Sequence, residues 1–125
     1  MAELPIESRI VELTTRVELL QFIKNNNFVI VKTSATWCGP CRQIKPYVDK
    51  WLEILPDNIK VVFVDADEGG DILRFLKWRS VPTFGNFIKG EHMDVFVGAN
   101  REKVKSFFQK TINRANNIQV TNRSF

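Results

Sequence analysis

Apolar and polar positions change period several times along this 125-residue chain, and each change predicts an element. Residues 1–8 read as a loose leader, and a short first strand follows at Arg9 to Leu13. Thr15 and Glu18 have the spacing of a capping box, in which the hydroxyl accepts an amide hydrogen bond and the carboxylate returns one. A helix therefore opens there and runs to about Lys24. Asn25-Asn26-Asn27 stops it, and asparagine is expected to supply the left-handed turn that most side chains resist. Phe28 to Thr33 starts apolar on both faces, the mark of a central strand covered by helices on each side. Ile44, Val48, Leu52 and Leu55 then recur at helical spacing with Trp51 among them. Pro46 lies inside this helix and predicts a kink rather than a stop, because the apolar spacing continues past it. Pro56-Asp57-Asn58 turns the chain, Val61 to Val64 repeats the central-strand pattern, and Asp65 to Gly70 is a loop opening a short helix with Ile72, Phe75 and Leu76.

Strand and helix alternate up to this point, which signals a parallel sheet. Val81-Pro82 breaks the alternation. Two short strands follow, around Phe84 to Ile88 and Met93 to Val97, joined as a hairpin at Lys89-Gly90-Glu91. Gly85-Asn86 interrupts the first of these with two poor strand formers, which predicts a bulge or an unusual contact. A last amphipathic helix from Arg101 to about Ala115 carries Val104, Phe107, Phe108 and Ile112 on one face. Asn116 to Phe125 is polar and is expected to be a flexible tail. The class is α/β: one domain over residues 1–115, with a mixed central sheet of about five strands flanked by about four helices.

Composition fits that picture. The chain is 44% hydrophobic and 26% charged, ordinary for one globular domain. Its net charge of +4 is compatible with acidic partners or nucleic acid. Lys and Arg are interspersed with Asp and Glu, however, with no basic run of five or more, which argues against a nucleic-acid interface. No stretch approaches the roughly 18 apolar residues of a membrane span. The first ten residues lack the basic-then-apolar order of a leader, so a cytoplasmic protein is expected.

The chain's only two cysteines, Cys38 and Cys41, stand where the Phe28 strand passes into the following helix. The first turn of a helix carries unpaired N–H groups and the positive end of the helix dipole. A thiolate at Cys38 is stabilised there, and thiolate is the nucleophile of disulfide exchange. Cys41, one turn on, is close enough to close a bridge and displace a bound partner. Gly39 lets a substrate approach closely, and Pro40 fixes its φ where no donor is needed. A zinc site would want about four ligands, and His92 is the only histidine available to join the two cysteines. A purely structural bridge across so short a loop would stabilise little.

Trp37-Cys38-Gly39-Pro40-Cys41, Pro46, Asp65, Val81-Pro82-Thr83 and Gly98-Ala99 occur in an order and spacing by which the chain resembles the thioredoxin family, from about Val11 to Ala115. The resemblance implies the thioredoxin fold and protein-disulfide reductase activity, with a part in electron transport and cell redox homeostasis. Cys38 would attack a substrate disulfide and Cys41 would resolve the mixed disulfide. Pro82 would be cis and would shield the cysteines from metal, and Val81 would pair with an extended substrate through its backbone. Trp37, Gly39, Pro40, Val81, Gly98 and Ala99 would form the apolar surface that receives disulfide-containing proteins. No Gly-x-Gly-x-x-Gly fingerprint is present, so no bound nucleotide cofactor is expected and a separate thioredoxin-reductase-like donor is implied. Trp51 and Trp78 read as packing.

The departures from the family pattern fall beneath the dithiol. The family's buried Asp six residues before the first cysteine is Lys32 here, the Lys that often accompanies it is Val61, and a second Trp is replaced by Ser34. Three readings of Lys32 stand. Buried and charged, it stabilises a thiolate and weakens the protein as a reductant; buried and neutral, it is a general base for Cys41. Along its aliphatic stem it could instead carry its ammonium out to water. The rivals to the reductase reading are a disulfide oxidase or isomerase, against which Pro40 argues because the family's oxidising members usually carry other residues there, and a binding module that uses the Trp37 and Val81 surface.

Overall fold

The computed structural model describes residues 9–123, and the surroundings of side chains over 9–116. The predicted leader before Arg9 lies outside the described residues. The elements are β1 (Ile10–Glu12), α1 (Arg16–Asn25), β2 (Phe28–Ser34), α2 (Gly39–Ile54), β3 (Ile59–Asp65), α3 (Gly70–Leu76), β4 (Thr83–Ile88), β5 (Glu91–Val97) and α4 (Arg101–Arg123). They build one five-stranded sheet in the order β1-β3-β2-β4-β5. The β1, β3 and β2 strands are parallel, and β4 and β5 run antiparallel to β2 and to each other.

The two-faced apolar character of β2 and β3 is explained by helices on both sides. Phe28, Ile30, Val61 and Phe84 pack with Ile44 and Val48 of α2 and Phe107 and Phe108 of α4. Val29, Val31, Val62 and Val64 face the other way, onto Leu19 and Ile23 of α1 and Ile72 of α3. Trp51 stacks on Phe108 with ring centroids 5.6 Å apart, and Trp78 is buried in the α1–α3 layer, so both pack as expected.

Local signals account for most boundaries. The Thr15–Glu18 capping box is formed. Pro46 is accommodated within α2, which continues to Ile54. The far end of α2 is held from another element: buried Arg9 donates through Nη1 to the carbonyls of Leu55 and Pro56, at 3.0 and 2.8 Å.

Two expectations are corrected. The asparagine stop is not left-handed: Asn26 is extended at φ −137°. Its side-chain Nδ2 donates to Phe22 O at 2.9 Å, so the helix end is satisfied without a left-handed residue. Among the described residues, the non-glycine residues with positive φ are Lys77, after α3, and Lys89, in the hairpin turn. The other correction is the end of the last helix, which runs beyond Ala115 to Arg123; Asn116 to Arg123 holds no Gly or Pro to stop it.

Gly85-Asn86 acquires a reason. The β4–β5 register shifts between Gly85 and Phe87. Gly85 is a slot for an indole, since a Cβ there would lie 2.6 and 2.8 Å from ring atoms of Trp78. Asn86 is completely buried. Its Nδ2 donates to Asp94 Oδ2 and Thr111 Oγ1, and its Oδ1 accepts from the Asp94 amide. Arg114 donates two hydrogen bonds to the same Asp94 carboxylate. This network ties β4, β5 and α4 together.

Candidate active site at the dithiol

Ala35 to Trp37 carries the chain from the end of β2 to Cys38, which is the N-cap of α2 with extended backbone at φ −92° and ψ 107°. Gly39 and Pro40 open the helix, so the proline lacks an N–H where none is needed. The amide of Cys41 donates to Cys38 Sγ at 3.2 Å, directing an orphan helix N–H at this sulfur. The two cysteines form a disulfide. Both are nearly closed off from water, at 4% and 5% exposure, and pack with Ala35, Ala66 and Val81.

Facing them is the Val81–Pro82 peptide, which is cis. Cys38 Sγ lies 3.7 Å from Val81 O. That segment is held from below and from the side. Thr33 Oγ1 donates to Thr83 O at 3.1 Å and accepts from the Thr83 amide at 2.8 Å, while Thr83 Oγ1 donates to Ser80 O. The Gly98 amide donates to Pro82 O at 2.9 Å. Gly98 has φ +113°, a backbone that glycine adopts at little cost.

Trp37 stands 64% exposed, its Nε1 donating to both carboxylate oxygens of Asp67 at 3.1–3.2 Å. It walls a groove of about 370 Å³ with Ala66, Leu73, Arg79, Ser80 and Val81. Gly39 and Pro40 lie at the start of α2, outside this lining, and Ala99 packs toward the α2–α4 core. The groove residues Ala66, Leu73, Arg79 and Ser80, and Asp67 that holds the Trp37 indole, carry no motif of their own in the sequence. Their one advance signal was position, since the Asp65 loop leaves the C-terminal end of a parallel strand, where open α/β sheets bind ligands.

Behind the bridge a cavity of about 140 Å³ is lined by Lys32, Ser34, Cys41, Phe63, Pro82 and Phe84, among others. Lys32 sits in register between Phe63 on β3 and Phe84 on β4. Its Nζ lies 4.9 Å from the Phe63 ring centroid. Burial pushes the Lys32 amine below its ordinary pKa, Asp49 partly opposes this, and Lys45 adds to it. Val61 is fully buried in the α2–α4 core, and Ser34 pairs with Asp65 across β2 and β3. His92 is far from this chemistry, stacked on Phe87 at 4.6 Å. Among the described residues no group of three or more His, Cys, Asp or Glu is placed to hold a metal, and no helix is long and apolar enough to cross a membrane.

A sulfur pair bridged across one helical turn, with an amide aimed at the first sulfur and a groove whose Val81 carbonyl lies beside that sulfur, is built to exchange disulfides: the class is thiol–disulfide oxidoreductase. The sequence matches the family model described as Thioredoxin over residues 10–110. It is 42% identical over 94 residues to thioredoxin-2 of Pyricularia oryzae, covering 75% of this chain and 54% of that relative. To thioredoxin of Coprinus comatus it is 36% identical over 96 residues, covering 76% and 91%. The fold aligns with oxidised mitochondrial thioredoxin 3 of Saccharomyces cerevisiae at a TM-score of 0.75 and 29% identity, covering 85% of this chain and 99% of that one. The chain belongs to the thioredoxin family.

Proposed function

We propose that the protein is a protein-disulfide reductase in which Cys38 is the attacking residue and Cys41 the resolving one. The observation that carries the assignment is the Cys41 amide, 3.2 Å from Cys38 Sγ: once the bridge is reduced, that N–H and the helix dipole stabilise charge on Cys38 and not on Cys41. The Cys38 thiolate attacks one sulfur of a substrate disulfide, forming a mixed disulfide and expelling the other sulfur as thiolate. The Cys41 thiolate then attacks Cys38 Sγ, re-forming the internal bridge and releasing the second substrate thiolate. Two electrons pass to the substrate, and a separate thioredoxin-reductase-like protein returns them. The pair thereby carries electrons between a donor and disulfide-containing proteins, and contributes to cell redox homeostasis.

Val81 and Pro82 form the docking strand beside Cys38, Trp37 walls the groove, and Gly39, Pro40 and Gly98 supply the low surface at its margin, with Ala99 packed beneath toward the core. Lys32 is a positioning residue behind Cys41. Its cation, held over the Phe63 ring, favours the thiolate of the resolving cysteine. A reducing compartment, the cytoplasm, suits a chain whose only cysteines are this pair.

The test is steady-state reduction of a protein disulfide, driven by dithiothreitol or by a thioredoxin reductase with NADPH, for the wild type and Cys38→Ser. Turnover lost in the variant supports the reading. A wild type without turnover overturns it.

A further inference from the structure

The groove beside Trp37 does not end at Val81. Leu73 and Arg79 line it, and the same two side chains line a second depression of about 350 Å³ that continues over Gly70, Arg74, Lys77 and Trp78. Joined at Leu73 and Arg79, the two depressions form a trough that runs from Trp37 and Val81, whose carbonyl lies 3.7 Å from Cys38 Sγ, across the C-terminal turn of α3. Its floor is apolar, made by Leu73 and the buried Trp78.

Charge changes sign along this trough. Near Trp37 stand Asp67, bound to the indole N–H, and Glu68, whose amide donates to Asp65. Beyond Val81 stand Arg74, Lys77 and Arg79, all exposed. The nearest acid on α3, Asp71, is engaged elsewhere: it accepts from the Arg16 amide at 2.7 Å and from the Arg16 guanidinium at 2.9 Å. Among the described residues none of the three cations forms a salt bridge, whereas Arg9, Arg16, Lys45 and Arg114 do.

Lys77 adds a second, independent observation. It follows α3 in the left-handed conformation at φ 62°, a position glycine fills with less strain. A lysine here gives up backbone ease and places a cation on the trough rim.

We propose that the trough docks acidic substrate segments. An extended chain whose disulfide sulfur reaches Cys38 runs beside Val81 and lays aspartate or glutamate side chains from one flank along Arg79, Lys77 and Arg74. The proposal rests on the reductase reading of the dithiol and adds to it the chemistry of the substrate. Such complementarity acts mainly on encounter and specificity, and salt screens it.

The experiment compares two synthetic peptides with the same internal disulfide, one flanked by glutamates and one by glutamines, as substrates of the full chain at low and high salt. The variant Arg74→Gln/Lys77→Gly removes two cations, and glycine suits the left-handed position, so folding is preserved. In the wild type, kcat/KM should favour the glutamate peptide roughly tenfold at low salt, and high salt should erase the preference. The variant should lose the preference and keep its rate on the glutamine peptide. Equal kcat/KM for the two peptides in the wild type overturns the proposal, as does a preference the variant retains. If neither peptide is reduced, the reductase reading fails, and titration of a cysteine-free glutamate peptide followed by tryptophan fluorescence, to which Trp37 and Trp78 of the trough contribute, decides docking by itself. Binding that the variant weakens supports the trough, and no binding overturns it.

Discussion

The Lys32 amine lies 4.9 Å from the centre of the Phe63 ring, inside the cavity that Cys41 also lines. Among the described residues it forms no salt bridge. Burial lowers its pKa, so the folded protein holds this proton less tightly than the unfolded chain. Between the lowered folded value and the ordinary value of 10.5, the unfolded state binds more protons, and stability rises with pH across that window. Below that window, holding the amine inside the fold costs stability. Lys32→Met should therefore be more stable than the wild type near pH 7, by about 1 kcal/mol, and the gap should narrow toward alkaline pH. Urea unfolding at two pH values checks this; a variant less stable at neutral pH would refute it.

The same substitution tests the cation's effect on the thiols. Removing a positive charge from behind the pair disfavours thiolate. In reduced protein, the pH profile of alkylation should move to higher pH in Lys32→Met and return in Lys32→Arg. An unchanged profile would leave Lys32 without influence on the dithiol.

Asp94 is held well into its ionised form by hydrogen bonds from Arg114 and, to a smaller extent, Asn86. A carboxylate with a lowered folded pKa contributes stability that is present above its ordinary value of 3.8 and is lost as pH falls through the folded value. Arg114→Gln should cost about 1 kcal/mol at neutral pH, a modest figure because water reaches the guanidinium. It should also make the acid limb of unfolding shallower. Asn86→Ala should cost more, about 2 kcal/mol, because it leaves the Asp94 amide without its acceptor and removes the hydrogen bonds to Asp94 Oδ2 and Thr111 Oγ1. Chemical denaturation of the two variants ranks them.

Gly85→Ala should destabilise by about 1–3 kcal/mol, since the new methyl meets the Trp78 ring. The indole must shift, and the Arg79–Val81 segment that follows it shifts too. Reduction of large substrates should fall more than reaction with a small-molecule disulfide. A variant of wild-type stability would mean the ring yields freely.

What the sequence disclosed was local. The Thr15–Glu18 box, the two-faced runs of β2 and β3 and the turn at Lys89-Gly90 are each written in a few adjacent residues, and each formed. The asparagine stop misled because a side-chain amide can satisfy a helix end as well as a left-handed backbone can. The groove was hidden for a different reason. Ala66, Leu73 and Arg79 come from separate loops and a helix whose periods say nothing of where their ends meet. Asn86 appeared only as a flaw in a strand, because the Thr111 that completes it lies on a helix 25 residues away.

Arg9 gives the start of the chain an unexpected hold on its chemistry. Its guanidinium grips the Leu55 and Pro56 carbonyls, at the cap and just past the end of the same helix whose first turn carries the sulfurs. A shortened version that removes Arg9 would leave those two carbonyls without this donor. Two preparations with identical cysteines can then differ in reactivity through a residue far along the chain from either sulfur.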